Sequence, residues 1–346
     1  MNQSDVGRDL LTAVRQASED EHLFFDGPPR AANASGSVVF VEPRTTTGEF
    51  GGTAVFRCCP DIKVAKREVA IHQFLNDRGF PAPTVLLTGS ADDELEGAWL
   101  LTEHVSGLDA RIGHWQSPIS GLKSLLALWR RPSLLADLSV WLHSIDPGPL
   151  SSALQEAAIS FDWYRYQWDL AQQMRGTDNG ELVEWLKANR PLDSEAVVSH
   201  GDLHPGNIVV GPDGPHVVDW GIAGPAPAAR DVACTMFALL NTGGRAPDQI
   251  RPISSVLGKF LSRYFLRLYR RRSTAPMTDE ELDWHRVLYS VNRIFWISNE
   301  EGVGPAANDS DALAKWAAGR TAGALGHELS LHVKIIGDIT GIEIGV

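Results

Sequence analysis

Three oxygen-bearing side chains lie close together in one short stretch of the sequence. Asp202 and Asn207 occur five positions apart in His200–Asn207, and Asp219 follows in an Asp-Trp-Gly tripeptide. A carboxylate can orient a hydroxyl group and accept its proton, while carboxylate and amide oxygens are ligands that Mg²⁺ prefers. Phosphoryl transfer needs both parts. The stretch is therefore predicted to carry this chemistry.

A strand–turn–strand pattern connects Asn207 to Asp219. A pair of valines follows Asn207, a Gly- and Pro-rich turn comes next, and a second pair of valines precedes Asp219. A hairpin of this length brings its two ends together. Asn207 and Asp219 are therefore predicted to share a metal ion, with Asp202 facing the substrate. Asp and Asn beside Gly and Pro are also ordinary turn residues, but five elements in a fixed order favour the chemical interpretation.

The segments His200–Asn207 and Val217–Gly221 resemble the signature of the aminoglycoside phosphotransferase and choline kinase superfamily. Three further segments resemble parts of these proteins. Trp141–Pro147 is similar to the helix end before the catalytic loop, and Ala229–Ala233 is similar to the acidic segment after the metal loop. Leu100–Gly107 is similar to the link between the lobes. The resemblance implies an α+β, bilobal, protein-kinase-like fold. In that fold a small β-rich N-terminal lobe precedes a larger, mainly helical C-terminal lobe.

The resemblance also implies a role for each matching residue. Asp202 is expected to be the catalytic base, and Asn207 and Asp219 to bind Mg²⁺. His200 is expected to support the loop structurally, and Asp231 to brace it. The adenine or guanine of ATP or GTP is expected to bind the backbone of Thr102, Glu103 and His104. The phosphates of the nucleotide are expected to lie under Ser35 and Gly36.

The cation expected to contact the phosphates departs from the superfamily's usual lysine. Arg57 stands at the matching place on a strand, and its planar guanidinium is not equivalent to lysine. Lys63, just past the strand, is the alternative. Glu68 lies in an apolar helical stripe, where an unpaired buried charge would be costly. An Arg57–Glu68 ion pair at the nucleotide site is therefore predicted; the alternative is that Glu68 reaches solvent at the edge of the stripe.

The elements that must position these residues change character along the chain. Strand-like runs with one internal helix, after a leading amphipathic helix, predict a nucleotide-binding lobe over residues 1–103, and residues 104–107 are the predicted hinge. Helical spacing dominates residues 108–346, the predicted catalytic and substrate-binding lobe, although Pro132 is expected to interrupt its first helices. Two lobes are expected at 346 residues, because single cores stop growing at about 250–300 residues.

The acceptor of the phosphoryl group is predicted to bind the helical region after residue 150. Aromatic faces and carboxylates there suit a cationic ligand; the candidates are Asp162, Trp163, Glu300 and Glu301. Aromatic residues at helical spacing are also common in cores. The first hypothesis for the acceptor is an aminoglycoside or another antibiotic. The alternatives are a metabolic kinase for an amino alcohol, amino acid or sugar, and a nucleotide-binding module without catalytic activity.

Composition and charge disfavour other classes of protein. The net charge of −12 argues against nucleic acid as a partner, because phosphate backbones attract clustered Lys and Arg. No apolar run is long enough to cross a bilayer, so no membrane association is expected. Three cysteines without a disulfide framework, and a charged N-terminus without an apolar signal segment, predict a cytoplasmic protein with reduced thiols.

Overall fold

A computed structural model describes most of the chain, in two compact units. The described residues are 3–18, 22–26, 29–31, 38–44, 53–59, 62–90, 98–109, 118–157, 159, 168, 180–191, 194–241, 251–298 and 322–344. The first unit consists of Met1–Leu108, Ser152–Ile159 and Val209–Gly221, and the second unit contains the rest of the chain. The predicted assignment of residues 1–103, 104–107 and 108–346 to two lobes and a hinge stays a prediction.

The first unit is built on an antiparallel sheet in the order β2-β3-β5-β7-β6. The strands of the chain are β1 (Phe24–Phe25), β2 (Arg30–Ala31), β3 (Val38–Val41), β4 (Pro43–Arg44), β5 (Ala54–Cys59), β6 (Val85–Ser90), β7 (Ala98–Glu103), β8 (Leu108–Asp109), β9 (Ala196–Ser199), β10 (Ile208–Gly211), β11 (Gly214–Val217) and β12 (Gly224–Pro227). The helices of the chain are α1 (Gln3–Ser18), α2 (Ile62–Asn76), α3 (Pro118–His143), α4 (Gly148–Glu156), α5 (Gly180–Ala188), α6 (Ala228–Leu240), α7 (Arg251–Arg272), α8 (Asp279–Ser298) and α9 (Ala322–Thr340).

Alternation along β5 directs one basic side chain towards α2. Phe56 packs with Trp99, with ring centroids 5.3 Å apart, in a core that includes residues of α1. Successive side chains of a strand point to opposite faces. Arg57 therefore shares the other face with Cys59, which packs against Ala65 of α2. The sheet places Arg57 beside the helix that carries the buried acid of the sequence pattern.

The hairpin β10–β11 also belongs largely to the first unit and leads into the Asp-Trp-Gly segment. The Val217 N–H donates to the Pro81 carbonyl oxygen at 2.8 Å. Trp220 is fully buried, and its indole N–H donates to the Val217 carbonyl oxygen at 2.9 Å. The Trp220 ring meets the Phe80 ring edge to face, with centroids 5.7 Å apart. These contacts fix the backbone on both sides of Asp219.

The second unit is mainly helical. Helices α5, α8 and α9 share a core that includes Leu182, Trp284, Val291 and Ile336. The short strand β9 pairs antiparallel with β12, with Ser199 opposite Gly224. This pairing fixes the start of the loop that carries Asp202, because the loop begins directly after β9. It also fixes the start of α6, which begins directly after β12.

Helix α3 is continuous, so the prediction that Pro132 interrupts the helices of this region is wrong. Proline inside a helix removes one backbone hydrogen bond. Here α3 packs on α7 around that position: Trp129 meets Phe260 edge to face at 5.3 Å, and Arg272 donates to Asp137 at 2.7 Å. Tertiary contacts outweigh the local preference. Among the described residues, no helix has the length and apolar character of a membrane span.

Candidate active site

The structure describes the predicted catalytic, metal and hinge residues. Six of the predicted site residues lie outside the described part of the chain: Ser35, Gly36, Asp162, Trp163, Glu300 and Glu301. The remaining residues fall into two groups. One group, around Arg57, belongs to the first unit, and the other, around Asp202, belongs to the second.

Arg57 lies between two carboxylates of the first unit. Its Nη1 is 2.8 Å from Glu68 Oε1 and 3.0 Å from Asp219 Oδ1. The Glu68 side chain is 1% exposed and that of Asp219 is 53% exposed. The buried acid of α2 therefore has Arg57 as its counter-charge, and the same guanidinium reaches the Asp219 carboxylate. Lys63 lies exposed in the first turn of α2. The role of Arg57 and Glu68 towards a nucleotide stays a prediction.

The charges of this group depend on one another. Burial raises the pKa of the Glu68 carboxyl, and the charge of Arg57 acts against that rise. Burial alone would lower the pKa of the Arg57 guanidinium, but Glu68 and Asp219 raise it above its ordinary value. Arg57 therefore remains a cation. Removing it would leave a buried acid without its nearest counter-charge, which costs about 3–5 kcal/mol for buried pairs.

The Asp-Trp-Gly segment has a backbone that few sequences tolerate. Asp219 has φ 69°, and it is the one non-glycine residue with a positive φ among those described. Aspartate enters this region more readily than most residues, and such conformations concentrate at functional sites. A Cβ on Gly221 would lie 2.7 Å from Arg57 Nη2 and 3.1 Å from Glu68 Oε1. The Gly221 carbonyl oxygen also accepts a hydrogen bond from Arg67. The glycine is needed for this close approach.

Asp231, in the first turn of α6, holds the loop that carries Asp202. Its carboxylate accepts hydrogen bonds from the His200 N–H at 2.8 Å, the Gly201 N–H at 2.6 Å and the Ser199 hydroxyl at 2.9 Å. Asp231 is fully buried. Three donors on one carboxylate fix the loop backbone up to the residue before Asp202.

His143, at the end of α3, is a further partner of this carboxylate. Its Nε2 lies 3.1 Å from Asp231 Oδ2, and its Nδ1 lies 2.8 Å from the Tyr269 hydroxyl oxygen. Burial alone would raise the pKa of Asp231, but His143 and Arg230 hold it well below its usual range. The group therefore stays a carboxylate, which is the form that accepts all of these hydrogen bonds.

Asp202 and Asn207 are connected within the loop. The Asp202 N–H donates to His200 Nδ1 at 3.2 Å, and Asn207 Nδ2 donates to the Asp202 carbonyl oxygen at 2.9 Å. The second bond leaves Oδ1 as the ligand atom of the Asn207 amide. Oxygen atoms of this kind, like those of the Asp219 carboxylate, are ligands that Mg²⁺ prefers. The binding of Mg²⁺ by Asn207 and Asp219 stays a prediction.

Thr102, Glu103 and His104, predicted to bind the nucleobase through their backbone, lie at the end of β7 and just after it. The Glu103 N–H donates to the Thr84 carbonyl oxygen at 2.9 Å, and the His104 N–H donates to the Thr53 carbonyl oxygen at 3.2 Å. These two N–H groups have acceptors within the protein. Recognition of a nucleobase at this segment stays a prediction.

Sequence reasoning missed two side chains that contact the Asp202 carboxylate. The Cys234 thiol donates to Asp202 Oδ1 at 3.3 Å, and His204 Nε2 lies 3.5 Å from Asp202 Oδ2. A signal for Cys234 was present, because it follows Asp231 by three positions and so lies on the same side of α6. The interaction of Arg67 with Gly221 had no such signal, since the two residues are far apart in sequence.

A family model described as the phosphotransferase enzyme family matches residues 27–253. The matched segment contains Arg57, Asp202 and Asp219 and spans more than half of the chain. The chain therefore belongs to the phosphotransferase enzyme family.

An aminoglycoside 3'-phosphotransferase from Streptomyces fradiae is 29% identical over 177 residues, which are 46% of this chain and 59% of that protein. The chain thus matches about three fifths of the length of this curated relative.

Two solved structures share the fold. A type VIII aminoglycoside-3'-phosphotransferase has a TM-score of 0.53 at 23% identity, covering 82% of this chain and 99% of that one. An ethanolamine kinase from Plasmodium vivax has a TM-score of 0.53 at 14% identity, covering 89% and 82%. These likenesses confirm the predicted α+β, protein-kinase-like fold, and with the family match they confirm the predicted superfamily.

Proposed function

We propose that this phosphotransferase moves the γ-phosphoryl group of ATP or GTP to a hydroxyl group of a small molecule. The observation that carries the proposal is the setting of Asp202. Its carboxylate is 38% exposed, at the head of a loop whose backbone is bound to the buried Asp231. A rigid support with one accessible carboxylate suits a group that must orient a hydroxyl and accept its proton.

Each residue has a defined task in this mechanism. Asp202 aligns the acceptor hydroxyl and takes its proton as the oxygen bonds to the γ-phosphorus, while the bond from that phosphorus to the nucleoside diphosphate breaks. Arg57 binds phosphate oxygens, and Glu68 keeps its guanidinium in place. Asn207 and Asp219 would hold Mg²⁺, and the ion would supply positive charge to offset that of the phosphates.

The variant Asp202→Asn tests the base. We expect it to lower kcat by about 10²–10⁴-fold, the usual contribution of a general base, and to leave nucleotide binding unchanged in a calorimetric titration. Asp213→Asn is the matched control, because Asp213 is an exposed carboxyl in the turn of the β10–β11 hairpin. A parental kcat in Asp202→Asn would refute the assignment.

The first acceptor that we propose is an aminoglycoside or another antibiotic. The Streptomyces fradiae relative supports this choice, and so do the predicted aromatic and acidic side chains after residue 150. Expression in the cytoplasm of a susceptible host should raise the inhibitory concentration of the drug, and the Asp202→Asn variant should not.

A panel of acceptors separates the other hypotheses. Nucleotide consumption driven by an amino alcohol, amino acid or sugar, but by no antibiotic, would favour the metabolic kinase. Binding of Mg²⁺–nucleotide without phosphorylation of any acceptor would favour the module without catalytic activity.

A further inference from the structure

Three residues on one side of α6 contact the loop that carries Asp202. Asp231, Cys234 and Thr235 lie three and four positions apart, so they share that side of the helix. Asp231 binds the loop backbone before Asp202. The Thr235 hydroxyl donates to the carbonyl oxygen of Leu203, the residue after Asp202, at 2.6 Å. Cys234 lies between these contacts and donates to Asp202 Oδ1 at 3.3 Å.

The Cys234 thiol lies in a buried environment. Cys234 is fully buried, and its thiol lies near the Tyr289 side chain. Tyr289 packs beside the ring of Phe237, with centroids 5.5 Å apart. Burial raises the pKa of the Cys234 thiol well above its ordinary value. The sulfur therefore keeps its hydrogen, and only the protonated thiol can donate to a carboxylate.

The second oxygen of Asp202 has a different neighbour. His204 Nε2 lies 3.5 Å from Asp202 Oδ2, and the His204 side chain is partly exposed. His204 Nδ1 accepts a hydrogen bond from the Gly206 N–H at 2.9 Å. Because Nδ1 accepts this bond, the ring N–H that faces Oδ2 is the one on Nε2. One carboxylate oxygen thus meets a buried donor and the other meets a partly exposed one.

The carboxylate needs such a donor to have a defined orientation. Rotation about χ2 of aspartate is soft, so the loop backbone alone does not fix the plane of the carboxylate. We propose that Cys234 is a positioning residue: its thiol holds Oδ1 of Asp202 inward and leaves Oδ2 as the oxygen that receives the acceptor proton. The proposal rests on the proposed function, because it assumes that Asp202 is the base.

Kinetics of Cys234 variants test the role of the thiol. Cys234→Ala removes the donor, and we expect kcat to fall roughly five- to tenfold, the size of one net hydrogen bond, with both KM values unchanged. Cys234→Ser restores a donor and should recover most of the loss. Cys58→Ala is the matched control, because this thiol lies in the first unit and packs against the core that includes residues of α1. If Cys234→Ala folds poorly, Cys234→Val fills the space without a donor and should show the same fall in kcat.

A spectroscopic measurement tests the contact without activity. The S–H stretching band that disappears in Cys234→Ala should shift in Asp202→Ala, because the acceptor is removed. An unshifted band, or a Cys234→Ala enzyme with parental kcat, would overturn the proposal. A Cys234→Ser enzyme as slow as Cys234→Ala, with equal melting temperatures, would overturn it too. Parental protein without turnover on any acceptor would instead overturn the proposed function.

Discussion

Gly201→Ala perturbs the loop at the residue directly before Asp202. Gly201 has φ +85°, a conformation that L side chains rarely adopt, and its N–H donates to Asp231. An added Cβ would overlap Nη2 of the Arg230 guanidinium and lie 2.5 Å from its Cζ. The guanidinium cannot simply move away, because it donates to the Ile222 carbonyl oxygen at 2.9 Å. The substitution therefore combines backbone strain with overpacking.

The magnitude follows from these two costs. The left-handed conformation costs a non-glycine residue about 1–2 kcal/mol, and extra volume in a packed site costs about 1–3 kcal/mol. We expect Gly201→Ala to lower the free energy of unfolding by about 2–5 kcal/mol. We also expect kcat to fall, because Asp202 follows the displaced residue.

Denaturant titration followed by circular dichroism measures the loss of stability. The control is Gly341→Ala in the same unit, where φ is +74° and no heavy atom lies within 4 Å of the added Cβ. That control carries the strain without the overlap, so it should lose only about 1–2 kcal/mol. The reasoning is refuted if Gly201→Ala is no less stable than Gly341→Ala, or if it keeps parental kcat.

Two further predictions concern buried charges. Arg57→Gln should destabilise the protein by about 3–5 kcal/mol, because it leaves the buried Glu68 carboxylate without its nearest counter-charge. The double variant Arg57→Gln/Glu68→Gln should recover most of that loss in denaturant titrations. Equal losses of stability in both variants would contradict the ion pair. Asp231 has a pKa below its value in the unfolded chain, so its contribution is fully present above about pH 4 and is lost as the pH falls through the folded pKa. Asp231→Asn should therefore be markedly less stable at pH 7 and lose less further stability on acidification. Asp213→Asn, at an exposed carboxyl, is the control for removing one carboxylate.

The parts of the site that depend on short sequence separations could be predicted from the sequence. A turn and two short strands lead from Asn207 to Asp219, and hairpin geometry leaves few arrangements for such a segment. The Arg57–Glu68 ion pair was also predictable, because an acid within an apolar helical stripe needs a counter-charge. The α+β, kinase-like fold was implied by the resemblance that the segments around Asp202 and Asp219 carry.

Contacts between distant parts of the chain could not be predicted in this way. Arg57 and Asp219 are separated by 162 residues, and no local pattern indicates that one guanidinium serves two carboxylates. His143 and Asp231 are 88 residues apart. The continuous helix through Pro132 shows the same limit, since packing against α7 overrides a local preference that the sequence displays clearly.

The first unit draws on three separate stretches of chain, and this has a consequence for its synthesis. Its main stretch ends at Leu108, but its last stretch ends only at Gly221, more than one hundred residues later. At ribosomal rates of about 5–20 residues per second, the ends of these two stretches are synthesised about 6–23 s apart. During that interval Phe80 lacks the Trp220 ring that later covers it, and Arg57 has Glu68 but not Asp219. The sheet of the first unit is therefore synthesised well before Trp220, which packs on Phe80, and Asp219, which is the second carboxylate of Arg57.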